Sequence, residues 1–242
     1  MAAIQGADAR AVFFPYHTST FLFSVDPARI KQPSDLVGQA IGIASPGNSQ
    51  DIATRLMLQS LGVDPLSANY IPLGGEGARV AALLSGQIAG SANNPNVAAE
   101  LKRQGYVVIA NSYKVMPIPW SGYGANAPAL AQRADTFQAW MRAMIKGLQF
   151  ARQNVDASAD IVSKAAHIDL EIAKDSLLAL IEVMDPDDPG GFTEAGMRQQ
   201  IQIIRDAAPG MREVTIDDVA DVAPLRAAQR ALGIQCKGGY KC

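Results

Sequence analysis

Ala40-Ile-Gly-Ile-Ala-Ser-Pro-Gly-Asn-Ser-Gln-Asp-Ile-Ala-Thr-Arg-Leu-Met-Leu-Gln-Ser-Leu61 decides how this chain is read. Ala40–Ala44 is short and apolar, the pattern of a buried strand. Ser45-Pro-Gly-Asn-Ser49 is turn chemistry. A helix then runs to about Leu61. Asn48 or Ser49 can cap it, and Gln50 and Asp51 fall in the first turn, where acceptors and negative charge are favoured. Ile52, Leu56 and Leu61 lie near one stripe, Gly62 closes the helix, and Pro65 follows.

The same unit recurs downstream. Asn69–Leu73 reads as a strand, Gly74-Gly-Glu-Gly77 as a turn and Ala78–Leu84 as a helix ending at Ser85-Gly86. Gln87–Ala92 is a brief strand, followed by Asn93-Asn-Pro95 and a helix to Gln104. Tyr106–Ala110 is a further strand. Strand, turn and helix alternate three times, which predicts an α/β fold with a mostly parallel sheet.

Upstream, Arg10–Phe14 and Thr20–Val25 read as strands joined by the polar and aromatic loop Pro15-Tyr-His-Thr-Ser19. Asp26–Gly38 carries two prolines and suits a connector between lobes. Downstream of residue 127, Phe137, Trp140, Met141, Met144, Ile145 and Leu148 follow a helical apolar spacing, and further helices are expected over 155–166, 169–183 and 194–207. Asp185–Gly191 is a loop between them. This helical carboxy half reads as packing scaffold. The expected division is 1–37 with 121–235 as lobe one, 38–120 as lobe two, and 236–242 as a tail.

Composition narrows the function. The chain has 242 residues, with Lys plus Arg 21 against Asp plus Glu 23, a net charge of −2. A dominant basic footprint for nucleic acid is absent. No apolar stretch approaches the roughly 20 residues that span a bilayer, so no direct membrane insertion is expected. Met1–Gly6 has neither a basic nor an apolar leader pattern, so no signal peptide is expected. Cys236 and Cys242 lie in the last seven residues: either an unordered tail with two free thiols or a small surface disulfide ring, since partners for a metal site are missing.

Motifs for catalysis are missing too. Gly75-x-Gly77-x-x-Val80 follows a strand, but it lacks the third glycine of a dinucleotide fingerprint and its acidic partner. Neither GxxxxGK[ST] nor GxSxG occurs. His167 reads as a surface or capping residue. His17 is open between local hydrogen bonding and pocket lining. Two isolated histidines and two tail cysteines make no four-ligand zinc site. What remains is three polar turns, Ser45–Ser49, Gly74–Gly77 and Asn93–Pro95, each between a strand and a helix. In an open parallel sheet such turns gather at the carboxyl edge, where helix N–H groups suit a polar or anionic small molecule. Trp120, in Met116-Pro-Ile-Pro-Trp-Ser-Gly122, is either a pocket wall or a hydrophobic plug.

Asp35-Leu-Val-Gly-Gln-Ala-Ile-Gly-Ile-Ala-Ser-Pro-Gly-Asn-Ser-Gln-Asp51 resembles the segment opening the second lobe of substrate-binding proteins of ABC importers. The subgroup is the one serving nitrate, sulfonates, taurine and thiamine-precursor pyrimidines. Ile71-Pro-Leu-Gly-Gly-Glu-Gly-Ala-Arg-Val-Ala-Ala-Leu-Leu-Ser-Gly-Gln-Ile88 is similar to that family's next strand, turn and helix, and Phe137–Asn154 with Asp156 resembles its long helix. Coverage is about residues 8–233. The family has an acidic residue where this chain has Ala89, and the chain starts at what resembles the last strands of lobe one, so the first lobe is expected to be incomplete.

The resemblance implies a type II periplasmic-binding fold, two α/β lobes with ligand in a cleft, no catalysis and no cofactor. It implies capture of a small anionic or zwitterionic solute, an ABC permease as partner, and a periplasmic or extracellular location. By matching position the ligand residues would be Tyr16, His17 and Thr18 in lobe one and Ser45, Gly47, Asn48, Ser49, Gly74, Gly75, Asn93 and Asn94 in lobe two, with Trp120 walling the pocket. The rival readings are a non-transport sensor or shortened remnant of the same fold and a pyrimidine-precursor synthase. The synthases carry a cysteine-rich motif and an active-site histidine, and the body of this chain has no cysteine.

Overall fold

The computed structural model describes residues 3, 6–207 and 212–242. The chain forms two compact units and passes between them four times. Unit 1 holds the residues up to Ser19, Ile118–Val155 and Ile181–Cys242, and unit 2 holds Thr20–Pro117 and Asp156–Leu180.

The chain opens in unit 1 with strand β1 (Ala9–Phe13) and enters unit 2 through β2 (Leu22–Val25). It continues with β3 (Ala40–Ile43), helix α1 (Ser49–Ser60), β4 (Asn69–Pro72), α2 (Glu76–Leu84), β5 (Gly90–Asn93), α3 (Pro95–Arg103) and β6 (Val107–Asn111). These strands make one five-stranded sheet in the order β4-β3-β5-β2-β6. β3 runs parallel to β4 and to β5, whereas β2 pairs antiparallel with β5 and β6. The sheet is therefore mixed: β2, next to its centre, runs against the other four. Because β2 is paired on both edges inside this sheet, the chain joins unit 2 at Thr20 rather than at residue 38.

The sheet is buried where strands face helices on both sides. Phe23, Val25, Ile41 and Ala92 are wholly inaccessible, and Leu83, Ile88 and Leu101 close the core under α2 and α3. Only glycine fits at Gly90, because a β-carbon there would stand 2.9 Å from Val25 Cγ1 and 3.1 Å from the Ser24 carbonyl oxygen. The returning segment 156–180 is held to α3 from outside by the pairs Lys102–Asp175 and Arg103–Asp169.

Unit 1 is built on a two-stranded antiparallel sheet of β1 and β7 (Tyr123–Asn126). After β7 come α4 (Ala127–Gln132) and α5 (Ala134–Gln153), whose apolar stripe was the clearest helical signal in the sequence. Helices α6 (Val155–Ala166) and α7 (Leu170–Ile181) belong almost wholly to unit 2. α8 (Glu194–Ala207), α9 (Ile216–Val219) and α10 (Ala223–Ala231) return to unit 1. Val12 and Phe13 pack with Met141 and Ile145 of α5 and Leu225 and Ala228 of α10. Phe14 packs on the other side with Phe192, Met197 and Ile201.

The last residues are ordered against unit 1, and the two cysteines are joined as a disulfide. Tyr240 donates its N–H to the Phe192 carbonyl at 2.8 Å and stacks on the Phe192 ring, with 5.6 Å between centroids. Of the two readings left open for the tail, the ring is the one formed. No helix among the described residues is long and apolar enough to cross a membrane.

Candidate functional site

The three polar turns singled out in the sequence all leave the carboxyl ends of β3, β4 and β5, which are parallel and lie side by side in unit 2. Chain direction alone therefore brings Ser45, Gly47, Asn48, Ser49, Gly74, Gly75, Asn93 and Asn94 to one edge of one sheet. Two hydrogen bonds extend the β3–β4 pairing into the turns: Leu73 N–H donates to Ile43 O at 2.8 Å and Gly74 N–H to Ala44 O at 3.0 Å.

Each turn is fixed differently. In the first, Asn48 is the N-cap of α1 and its Oδ1 accepts from the Asp51 N–H at 2.9 Å. Asp51 in turn accepts the Gly47 N–H at 2.8 Å and the Arg55 Nε–H at 2.8 Å. Gly47 takes φ +72°, the left-handed region where a β-carbon is disfavoured. Ser45 and Gly47 are exposed, and Asn48 and Ser49 are half-buried. The buried side chain of Gln50 stitches the edge from below. Its Oε1 accepts the Ala44 N–H at 2.9 Å, and its Nε2 donates to Ala92 O at 3.2 Å.

In the second turn Gly74 has φ +73° and Gly75 is the N-cap of α2. Both are exposed. The third turn is tied to the second. Glu76, at the first position of α2, accepts from the Asn94 N–H at 2.6 Å and from Asn94 Nδ2 at 2.9 Å. Asn93 is fully buried, and its side chain exchanges hydrogen bonds with Ser91: Oδ1 accepts from Ser91 Oγ at 3.1 Å and Nδ2 donates to Ser91 O at 3.0 Å. Asn93 therefore shapes the edge through its backbone, with its amide turned inward.

The three helices leave their first N–H groups without intrahelical acceptors, as every helix does. That edge therefore offers hydrogen-bond donors backed by three helix dipoles. Gln50, Glu76 and Arg79, which set its geometry and charge, were not among the residues singled out. Gln50 reads as an ordinary first-turn polar residue, and the burial of Arg79 has no local sequence signal.

The remaining candidates lie in unit 1. Thr18 is buried, and Tyr16 and His17 are half-buried. Burial pushes the Tyr16 phenol above its ordinary pKa, with Tyr123 adding to the effect. His17 donates its backbone N–H to Val183 O at 3.4 Å, and its Nδ1 is buried with no hydrogen-bond partner among the described residues. Trp120 is half-buried and lines a hollow of about 310 Å³ in unit 1 with Phe14, Tyr123, Met197 and Ile201. Asp188 approaches both cysteines, but the sulfurs are bonded to each other and Asp188 is held by Arg226 and Gln229. That arrangement leaves no thiolate for a metal.

Residues 1–158 match the family described as NMT1/THI5 like. No curated protein sequence matches the chain. Among solved structures, the chain is similar to the ligand-binding component of an ABC-type import system from Staphylococcus aureus, with 15% identity and a TM-score of 0.73 over 93% of this chain and 76% of that one. It is similar to the periplasmic aliphatic sulphonate-binding protein SsuA of Escherichia coli, with 18% identity and a TM-score of 0.71 over 90% and 75% of the two chains. The desulfurization enzyme DSZB shares the fold as well, with 13% identity and a TM-score of 0.65 over 93% and 80%. These likenesses carry the type II periplasmic-binding fold. The chain is a member of the NMT1/THI5-like family.

Proposed function

We propose that this protein is a solute-binding component of an ABC importer, which captures a small anionic or zwitterionic solute of the sulfonate, nitrate or pyrimidine-precursor class and delivers it to a permease. The observation that supports this reading is the convergence of three strand–turn–helix units on one polar edge of unit 2, with α1, α2 and α3 all starting there. Helix N–H groups favour an anion over a neutral molecule, and the exposed Ser45 and half-buried Ser49 add hydroxyls beside them. The ligand contacts proposed in unit 2 are Ser45, Gly47, Asn48, Ser49, Gly74, Gly75, Asn93 and Asn94, with Asn93 acting through its backbone. Tyr16, His17, Thr18 and Trp120 are proposed as contributions from unit 1.

A binding role without turnover belongs to the same reading. The fold is shared with an enzyme, DSZB, so the fold does not decide the matter. The cysteines of this chain are confined to the disulfide at its end, and among the described residues no nucleophile–base pair is assembled at the polar edge. A periplasmic or extracellular location follows from the proposed partner.

Native mass spectrometry of the purified protein tests the reading at once, because a retained solute adds its own mass. Calorimetric titration with methanesulfonate, taurine and nitrate then ranks the classes. Ser45→Ala and Ser49→Ala should each weaken binding several-fold without unfolding the chain. Folded protein that takes up none of these solutes and carries none from the cell would end this reading. For unit 1, Tyr16→Phe and His17→Ala should weaken the same titration, and unchanged affinity in both would remove that half of the assignment.

A further inference from the structure

The three helix starts at the polar edge are unequal in charge. α1 brings its own carboxylate, since Asp51 accepts the Gly47 N–H at 2.8 Å. α3 is served by another, since both oxygens of Glu76 are engaged by Asn94. α2 carries Glu76 in its own first turn, but that carboxylate accepts from Asn94 and not from an N–H of this turn. The N-cap of α2 is Gly75, which has no side chain. The N–H of Gly75 has no hydrogen-bond partner among the described residues. A β-carbon built on Gly74, Gly75 or Gly77 would meet nothing within 4 Å, so there is open space over this turn.

Beneath the turn lies a cation. Arg79, one turn into α2, is only 4% exposed. Side chains on a helix lean towards its N-terminus. Arg79 does so, and its Nη1 donates to the Gly74 carbonyl at 2.7 Å. Its Nε is buried and has no hydrogen-bond partner among the described residues, and none of their carboxylates lies within ion-pairing distance of the guanidinium. Burial lowers its pKa, with Glu76 acting in the opposite direction, but a guanidinium remains charged. A buried charge without a counter-ion is costly, and structures seldom keep one.

We propose that the start of α2 is the oxyanion subsite of this protein, with the N–H groups of Gly75 and Gly77 contacting the anion and Arg79 supplying the opposing charge from below. The inference rests on the solute-binding reading and locates the charged end of the solute within it. Arg79 acts partly through the peptide it touches. A cation on the Gly74 carbonyl polarises the Gly74–Gly75 peptide, which makes the outward N–H of Gly75 a stronger donor. The ligand class follows: a small sulfonate, carboxylate or nitrate, whose negative oxygens accept several hydrogen bonds at once.

The test uses methanesulfonate, acetate and nitrate as probes and dimethyl sulfone as an uncharged counterpart of the first, titrated into the whole protein by calorimetry. In parallel, the Arg79 Nε–H and the Gly75 and Gly77 amide signals are followed by NMR in the wild-type chain. At least one oxyanion should bind and shift all three signals, and dimethyl sulfone should not. Arg79→Gln should weaken that binding at least tenfold, and Arg79→Lys, which keeps the charge, by less. Should Arg79→Gln fail to fold, the wild-type signals decide alone. Binding of an oxyanion with these signals unmoved, or with affinity kept within threefold in folded Arg79→Gln, overturns the subsite and leaves the solute-binding reading standing. Equal binding of dimethyl sulfone also overturns it. No binding of any oxyanion removes the subsite and, with no solute retained from the cell, the broader reading too.

Discussion

Glu76 and Asn94 are locked together across the polar edge, the carboxylate of one accepting both the backbone N–H of the other, at 2.6 Å, and its Nδ2–H, at 2.9 Å. The pair joins the first turn of α2 to the N-cap of α3, although 18 residues separate them in sequence. It also gives the start of α3 a permanent internal anion, which is why that helix is a poor place for a second one.

Removing that carboxylate should loosen the edge. Glu76→Ala leaves two donors of Asn94 to water and should cost about 1–2 kcal/mol. Glu76→Gln keeps one acceptor and should cost less. Chemical denaturation of the three proteins checks the order. Equal stability of wild type and Glu76→Ala would show that the pair is not held in solution.

The sequence made the alternation of strand, turn and helix legible because each unit carries its own punctuation. Gly47, Gly74 and Gly86 all adopt the positive φ their turns require. α6 and α8 have the bounds expected of them, 155–166 and 194–207. α10 was not legible, for a physical reason. Its buried face consists of Leu225, Ala228 and two polar residues, Arg226 and Gln229, so the apolar stripe that marks a helix is half missing. β7, four residues with a glycine among them, lacks the alternation that marks a strand. The direction of β2 was hidden because an apolar run shows that a strand is buried and not which way it points. At the edge, the exposed turn residues were readable from composition. Gln50 and Arg79 were not, because long-range packing decides their burial.

The polar face of α10 should be indispensable to unit 1. Arg226 pairs with Asp188, both are buried, and Arg226 also donates to the Tyr240 carbonyl at 2.6 Å. Removing one partner strands the other charge, so Asp188→Ala or Arg226→Met should each cost about 3–5 kcal/mol. The double variant should cost less than the sum of the two. Additive losses in a double-mutant cycle would mean that the two side chains do not interact. Gly191→Ala and Gly239→Ala should each destabilise as well, since either methyl group would collide with the Asp188 carboxylate.

The disulfide closes a short ring, with a sequence separation of 6 between Cys236 and Cys242. Chain-entropy arithmetic for a ring of this size gives about 2 kcal/mol. Reduction, or the Cys236→Ser/Cys242→Ser pair, should lower the melting temperature by a few degrees and leave binding at unit 2 unchanged. The tail should stay docked, because Tyr240 is held independently by Arg226 and Phe192. Loss of solute binding on reduction would contradict this separation of roles.

Acid should destabilise the protein through named carboxylates. The backbone N–H groups of Lys31 and then Gln32 hold Asp35 below the usual carboxylate range, and Arg103 does the same for Asp169. Thr215 lowers Asp218, and Lys241 lowers Asp217. A carboxyl group whose folded pKa lies below its unfolded one stabilises the fold at pH above the unfolded value. That contribution is lost as pH falls from about 4 through the folded value. Melting temperature should therefore be flat near neutrality and drop below about pH 4. Asp35→Asn should shallow that drop, and an unchanged acid slope in this variant would exclude Asp35 as a contributor.

Gln50 offers the sharpest separation of positioning from contact. It is buried, yet it fixes Ala44, the residue before Ser45, and reaches across to Ala92 near the end of β5. Replacing it with Leu leaves the Ala44 N–H and the Ala92 carbonyl unsatisfied at a buried position, which should cost about 1–3 kcal/mol. Gln50→Glu keeps the acceptor for Ala44 but points a carboxylate at the carbonyl oxygens of Gly42 and Ala92, so it should be at least as damaging at neutral pH. Under the proposed function both variants should weaken solute binding, because the Ser45–Ser49 turn would no longer be held in register with the Gly74 turn beside it. Ser45→Ala, by contrast, should weaken binding with stability almost unchanged, since Ser45 is exposed. Denaturation and calorimetric titration on the same preparations distinguish the two behaviours. Should Gln50→Leu lose stability while binding as tightly as wild type, the first turn would not need its support from below, and the contacts assigned to Ser45–Ser49 would have to be withdrawn.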